Sequence, residues 1–448
     1  MPKRLCATVH FLLPFALPTR PHTPSASEES VAPGADPLAE NATRHAVAEA
    51  DRTLKALLDA RETPGLDAMI RRARRLEIDS GDDYQRSLPD ARWLARQYGL
   101  PGQGPFQDAP LAPFMLLADG GDPTPASLDD SDRTLAPSTT AETPIEWACL
   151  EPAHIEVTHD RLVLAHPQSL DITDAEARTL AEEVTASAAA RGLHFVAPTA
   201  TRWYLGDSRG TFLAGLQGAS PLRAAGRSID IWLPIDESRL DAHGVPSRSS
   251  KWIGFQTELQ MAWHEHATNN ARAARHARPV NAVWLHGRGR WPSAKETDTR
   301  AQAAPFSATF ADSPAARGLA IAAKQAAAPL PTDFAALVTA LSSKDRGAGV
   351  AGERAGAAAA PASAVDCVLV QSDALSLPMV HEDWRQWLDT FAVWDRQWFS
   401  PALQALKDRA IDEIRITLCG EHAGTTLSLR RGDLKAFWRR RTFAALLP

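Results

Sequence analysis

The sequence predicts an α/β fold in more than one lobe, on three observations. Strand-like and helix-like segments alternate: Arg161-Leu-Val-Leu-Ala, a helix from the capping box Thr173-Asp-Ala-Glu176 to Arg191, Gly192-Leu-His-Phe-Val, a long helix over residues 252–276, and an apolar run over 280–285 closed by Gly287. The 448 residues exceed what one ordinary core holds, and at roughly 100–200 residues per domain they imply two or three lobes. Hydrophobic residues at 44% and charged residues at 23% match soluble globular domains, which excludes collagen-like, wholly disordered and membrane-embedded chains.

The remaining elements follow from local pattern. Ala7-Thr8-Val9-His10-Phe11-Leu12-Leu13 is β-branched and aromatic, so it reads as a buried first strand. Its competitor is a targeting segment, with Lys3 and Arg4 ahead of the apolar run 5–17, but His10 and Pro14 interrupt that run. Helices are expected over 41–58, 66–76 and 89–98, the last ended by Gly99 and Pro101. Toward the C-terminus come a buried strand over 366–371 and a helix over 382–406. Trp384, Trp387, Phe391, Trp394 and Trp398 fall at steps of three or four and share one face of that helix. Core packing is the preferred reading of that face, an aromatic ligand platform the alternative. Ile414-Arg-Ile-Thr-Leu and Thr426-Leu-Ser-Leu make a hairpin, and 433–441 a short terminal helix. Three stretches read as joints: 18–36 and 120–144, rich in turn-forming residues, and the glycine- and alanine-rich linker 344–364.

Forty-eight basic against 54 acidic side chains give a net charge of −6, so the chain has no global electrostatic reason to bind nucleic acid. Cys6, Cys149, Cys367 and Cys419 are scattered, without the short paired spacings of a zinc site or a disulfide framework. They read as reduced structural thiols, and no metal or cofactor is read from the sequence. No segment has the roughly 18 uninterrupted apolar residues that span a bilayer. Few cysteines and no clear targeting signal lead to the expectation of a cytoplasmic protein.

The sharpest local feature is His264-Glu-His266-Ala-Thr-Asn269-Asn-Ala-Arg272, followed by Pro279-Val-Asn281-Ala-Val-Trp284-Leu-His286-Gly287-Arg-Gly289. Two histidines two apart face different sides of a helix and chelate poorly; zinc proteases place theirs four apart. His266, Asn269 and Arg272 step by three and can converge on one small polar or anionic group, or equally cap a helix end and bond the following strand. Gly287-Arg288-Gly289, after a strand, would let the backbone approach a phosphate closely. No Walker loop, dinucleotide fingerprint or serine-hydrolase elbow is present.

Gly226-Arg-Ser-Ile-Asp230-Ile-Trp232-Leu-Pro234, the His266/Asn269/Arg272 step and the 279–289 motif together resemble the RpfE-type regulatory proteins of bacteria, relatives of the archaeal-type cofactor-independent phosphoglycerate mutases. Trp394-Asp-x-x-Trp398, Pro401-Ala-Leu and Phe437-Trp438-Arg fit the same group. The resemblance implies an alkaline-phosphatase-like α/β core lobe with an inserted smaller α+β lobe. The core would comprise residues 1–125 and 300–448, and the insert 146–290.

In the mutases this resemblance implies a metal-binding aspartate after the first strand, a serine nucleophile and a late Asp/His/Asp cluster. Here Pro14-Phe15-Ala16 stands at the first position and Leu111-Ala112 at the second, while Asp373, His381 and Asp383 match the third only with stretched spacing. Leucine cannot accept a phosphoryl group. No catalytic residue is therefore assigned. The resemblance implies a catalytically degenerate regulatory protein, with Arg202, His266, Asn269, Arg272 and Asn281 as ligand-binding residues for a small phosphorylated or carboxylate ligand. Two alternatives stay open. One is an active mutase or related metal-dependent phosphotransferase with Ser80 or Ser87 as nucleophile; the other is a scaffold for a protein partner, built on the tryptophan-rich C-terminal region.

Overall fold

The computed structural model describes residues 5–18, 49, 52–82, 84–101, 104–124, 145–158, 161–242, 244–342 and 366–447. The chain is mixed α/β and divides into two compact units. One gathers residues 1–80, 331–343 and 372–448, and the other 81–330 and 344–371. The expected joints fall outside the described residues over 19–36, 125–144 and 344–364.

In the first unit the strand Thr8–Leu13 is buried along its whole length, as its unbroken apolar run requires. It lies parallel to Glu413–Cys419, which pairs antiparallel with Ala423–Arg430, itself antiparallel to Arg74–Ser80. The expected hairpin is therefore present. The helix expected over 66–76 instead runs Pro64–Arg72, and the chain turns at once into the Arg74–Ser80 strand. That strand alternates charged with apolar residues, the period of two that an extended chain follows. Of the helix expected over 41–58, residues 52–59 are helical, and 41–48, 50 and 51 lie outside the described residues. The expected terminal helix shrinks to a 3₁₀ turn, Arg431–Lys435.

The aromatic face behaves as core. The helix Trp384–Trp394 passes through a π turn, Asp395–Phe399, into Ser400–Lys407. Trp387, Phe391, Trp394 and Trp398 are all buried. The Phe11 ring meets Trp394, Trp398 and Phe399 edge-on, with centroids 6.5, 6.3 and 5.5 Å apart. Phe437 and Trp438, in contrast, stand exposed.

The second unit carries a four-stranded antiparallel sheet in the order Ala282–Arg290, Glu146–Ala153, Trp203–Asp207, His194–Val196. Glu146 pairs with Arg290, so the two ends of the 146–290 segment meet across one ladder. Three parallel strands, Ala326–Ala328, Ala308–Ala311 and Cys367–Gln371, also belong to this unit. The helix Asp174–Ala189 starts with the capping box read from the sequence, Thr173 and Glu176 bonding reciprocally. The long helix expected over 252–276 is two helices, Ser250–His264 and Ala267–Ala274. The break falls at His266, whose extended backbone and Nδ1, accepting from the Thr268 amide, start a new helix. Among the described residues no helix is long and apolar enough to cross a membrane.

Candidate functional site

Strand alternation decides which side chains meet on the four-stranded sheet. Ala148, Leu150, Trp203, Leu205, Val283 and Leu285 point to one face and join the core formed with Leu180, Val184, Phe255, Leu259 and Trp263 of the covering helices. Their neighbours Cys149, Glu151, Tyr204, Trp284 and His286 must point to the other face. The ladders then set them side by side: Cys149 lies opposite His286 on one flank and Tyr204 on the other, and Glu151 lies opposite Trp284.

Three donor atoms converge there. One atom each from Cys149, Glu151 and His286 lie within 4.8 Å of one another. His286 Nε2 is 3.0 Å from Glu151 Oε1. Cys149 is fully buried, and the His286 and Glu151 side chains keep only 11% and 15% of their surface. Burial pushes the Cys149 thiol up from its ordinary range. Burial also opposes a charge on His286, but Cys149 and Glu151 outweigh it, and the imidazole pKa is held well above its usual value.

The same face continues into a paired charge. Arg202 bonds Asp119 twice, Nε to Oδ2 and Nη2 to Oδ1, each at 2.8 Å, and the Tyr204 hydroxyl donates to Oδ2 at 2.6 Å. Asp119 closes the helix Ala112–Ala118. On the other side, Asp108 Oδ2 accepts the Gly287 amide at 2.6 Å. Burial raises the Asp108 pKa, with His286 and Arg86 pulling against it. Arg86 gives its guanidinium to the carbonyls of Gly218, Ile231, Trp232 and Leu233, and burial lowers its pKa to about 10.

Gly287 and Gly289 serve this packing. Gly287 adopts φ +70° at a bulge in its strand, and a Cβ on Gly289 would sit 2.7 Å from Pro110. The close approach that the sequence suggests for a phosphate is thus made instead by residues 110–112 of the chain itself.

The five residues expected to bind ligand occupy separate bonding sets. His266 caps the second helix. Asn269 donates to the carbonyls of Trp263 and Val280, both at 2.8 Å, and accepts the Val280 amide at 2.9 Å. Arg272, fully buried, donates to Glu176, to the Arg278 carbonyl at 2.8 Å and to the Leu170 carbonyl. Asn281 exchanges two hydrogen bonds with the Ile155 backbone at 2.7 and 2.9 Å. Arg202 faces Asp119 on the sheet.

Sequence reasoning took Cys149 for a structural thiol and passed over Glu151, Tyr204, Asp108 and Asp119. The one signal available was the Cys-Leu-Glu spacing, which puts a thiol and a carboxylate on the same face of a strand.

No protein-family model matches the chain, and no curated protein matches it. Two solved structures resemble it over most of its length. The cofactor-independent phosphoglycerate mutase from Thermoplasma acidophilum is 14% identical with a TM-score of 0.38, covering 95% of this chain and 90% of that one. The PH0037 protein from Pyrococcus horikoshii is 11% identical with a TM-score of 0.45, covering 98% and 92%. Both likenesses are distant, and the functional reading rests on the residues of this chain.

Proposed function

We propose that this protein is a phosphoglycerate-mutase-like regulatory protein that has lost mutase chemistry and acts by binding rather than turnover. What carries the reading is the side chain at each position where the sequence resemblance implies chemistry. Leu111, at the implied nucleophile position, precedes the helix Ala112–Ala118 and is buried. It has no hydroxyl to take a phosphoryl group. Phe15, at the implied metal-binding aspartate, is a buried aromatic that follows the strand Thr8–Leu13.

Two of the implied Asp/His/Asp residues stand at helix ends. Asp383 caps the helix Trp384–Trp394 by accepting the Gln386 amide at 3.0 Å, and His381 is exposed at the end of a short helix. Among the described residues, the His, Cys, Asp and Glu donors close enough to share an ion are Cys149, Glu151 and His286, not these. A dinuclear phosphoryl-transfer site needs carboxylates that hold two cations and polarise the phosphate. The reading does not lean on Arg202, His266, Asn269, Arg272 and Asn281 as an anion pocket, because a ligand would first have to displace their bonds to the chain.

The test is direct. Purified protein is incubated with manganese and 3-phosphoglycerate, and 2-phosphoglycerate is measured. The expected result is no product above a protein-free blank. Turnover that disappears when Asp373, His381 and Asp383 are replaced would overturn the proposal.

A further inference from the structure

We propose that Cys149, Glu151 and His286 form a binding site for a single zinc ion. The juxtaposition is built into the sheet: Cys149 and Glu151 are two residues apart on one strand, and His286 pairs with Cys149 across the ladder. Two strands fix all three positions, which is firmer support than a loop gives. The donor atoms already lie within 4.8 Å of one another. With zinc bonds of about 2.0–2.3 Å, tetrahedral ligand atoms stand roughly 3.3–3.8 Å apart, so a closure of about 1 Å completes the site.

The donor set selects the metal. A thiolate, an imidazole and a carboxylate suit zinc, whereas magnesium and calcium take oxygen donors throughout. Charge balance agrees. Once the ion displaces the protons of the thiol and the imidazole, a thiolate and a carboxylate cancel a divalent cation and the imidazole is neutral, so the occupied site is neutral where charge is costly. The neighbouring charges are engaged elsewhere: Asp119 is bound to Arg202, and Asp108 to the backbone amides of Gly287 and Ala109. Three protein ligands leave the fourth position to water. The inference is independent of the mutase reading, which concerns Phe15, Leu111 and the Asp373/His381/Asp383 set.

The experiment uses the full chain, stripped with a chelator and titrated with cobalt(II) as a spectroscopic stand-in for zinc. One ion per chain should bind and give a near-ultraviolet thiolate-to-cobalt charge-transfer band with strong visible bands of a four-coordinate site. Zinc should displace it. Cys149→Ser should abolish the charge-transfer band, while Cys367→Ser, at a buried thiol elsewhere, should keep it. Glu151→Gln preserves shape and hydrogen bonding. It should weaken zinc binding by at least about 10- to 100-fold, the loss seen when even an outer-shell partner is removed. If Cys149→Ser fails to fold, Glu151→Gln and His286→Gln decide the matter. The proposal is overturned if the wild-type chain shows no thiolate band, if the band survives Cys149→Ser, or if folded Glu151→Gln holds zinc as tightly as the wild type.

Discussion

Arg202 grips Asp119 through two parallel hydrogen bonds of 2.8 Å, and it does so where the Asp119 side chain keeps only 3% of its surface. Such a carboxylate depends on its partner. Arg202→Ala should cost about 3–5 kcal/mol, because the stranded charge stays buried with, among the described residues, the Tyr204 hydroxyl left to help it. The double variant Arg202→Ala/Asp119→Ala should lose less than the two single losses added. A double-mutant cycle in urea checks this, and additive losses would show that the pair is not coupled.

Asn269 illustrates how a residue of binding type is absorbed by architecture. Its amide group donates to two carbonyls, those of Trp263 and Val280, and so ties the end of one helix to the start of the sheet strand. Asn269→Asp replaces that donor with an acceptor facing both carbonyls in a buried site. We expect a loss of roughly 2–4 kcal/mol from the broken and mismatched bonds. Denaturant unfolding that leaves Asn269→Asp as stable as the wild type would remove the structural role.

His10 supplies a pH signature. It is buried, its Nε2 lies 2.8 Å from Thr417 Oγ1, and its pKa is pulled down to about 3 by burial first and by Arg415 next, against Glu413. The unfolded chain binds a proton near the ordinary value of about 6.5, which the folded chain refuses, so stability falls as pH drops from there toward 3. The slope from this one group approaches about 1.4 kcal/mol per pH unit within that window and vanishes above it. His10→Gln should flatten the acid side of the stability curve relative to the wild type. Taking the difference between the two proteins cancels the carboxylates that titrate in the same range. Parallel curves would refute the assignment.

What the sequence disclosed follows the reach of local interactions. The Thr8–Leu13 strand, the Thr173/Glu176 capping box and the buried face of Trp387, Phe391, Trp394 and Trp398 each depend on residues within a few positions, and each is where the pattern put it. The break at His266 escaped because it turns on a backbone rotation and a histidine acting as a cap, neither of which a 3.6-residue period reveals. The meeting of Glu151 with His286 spans 135 residues and depends on the register of two strands. Composition holds no trace of register, and a slip of one residue would send these side chains to the opposite face.

Asp395 provides a cap from far along the chain, and its removal should be felt at the start of a helix it does not belong to. The helix Pro64–Arg72 opens without a side-chain cap of its own, Thr63 making no such bond. Asp395, 1% exposed, instead accepts the Gly65 amide at 3.0 Å and the Leu66 amide at 2.7 Å, and also the Ser400 hydroxyl at 2.9 Å. The negative charge faces the positive end of the helix dipole, which adds to the bonds. The approach is close enough that a Cβ on Gly65 would stand 2.5 Å from Ser400 Oγ. Asp395→Ala forfeits the cap and strands two buried amides, for about 3 kcal/mol. Asp395→Asn keeps one acceptor oxygen and should fall between the alanine variant and the wild type. Hydrogen exchange at Gly65 and Leu66 reads the effect at the site itself, since those amides should exchange faster in the alanine variant. Unchanged protection there, or equal stability of the asparagine and alanine variants, would mean that the helix start is secured by something other than this carboxylate.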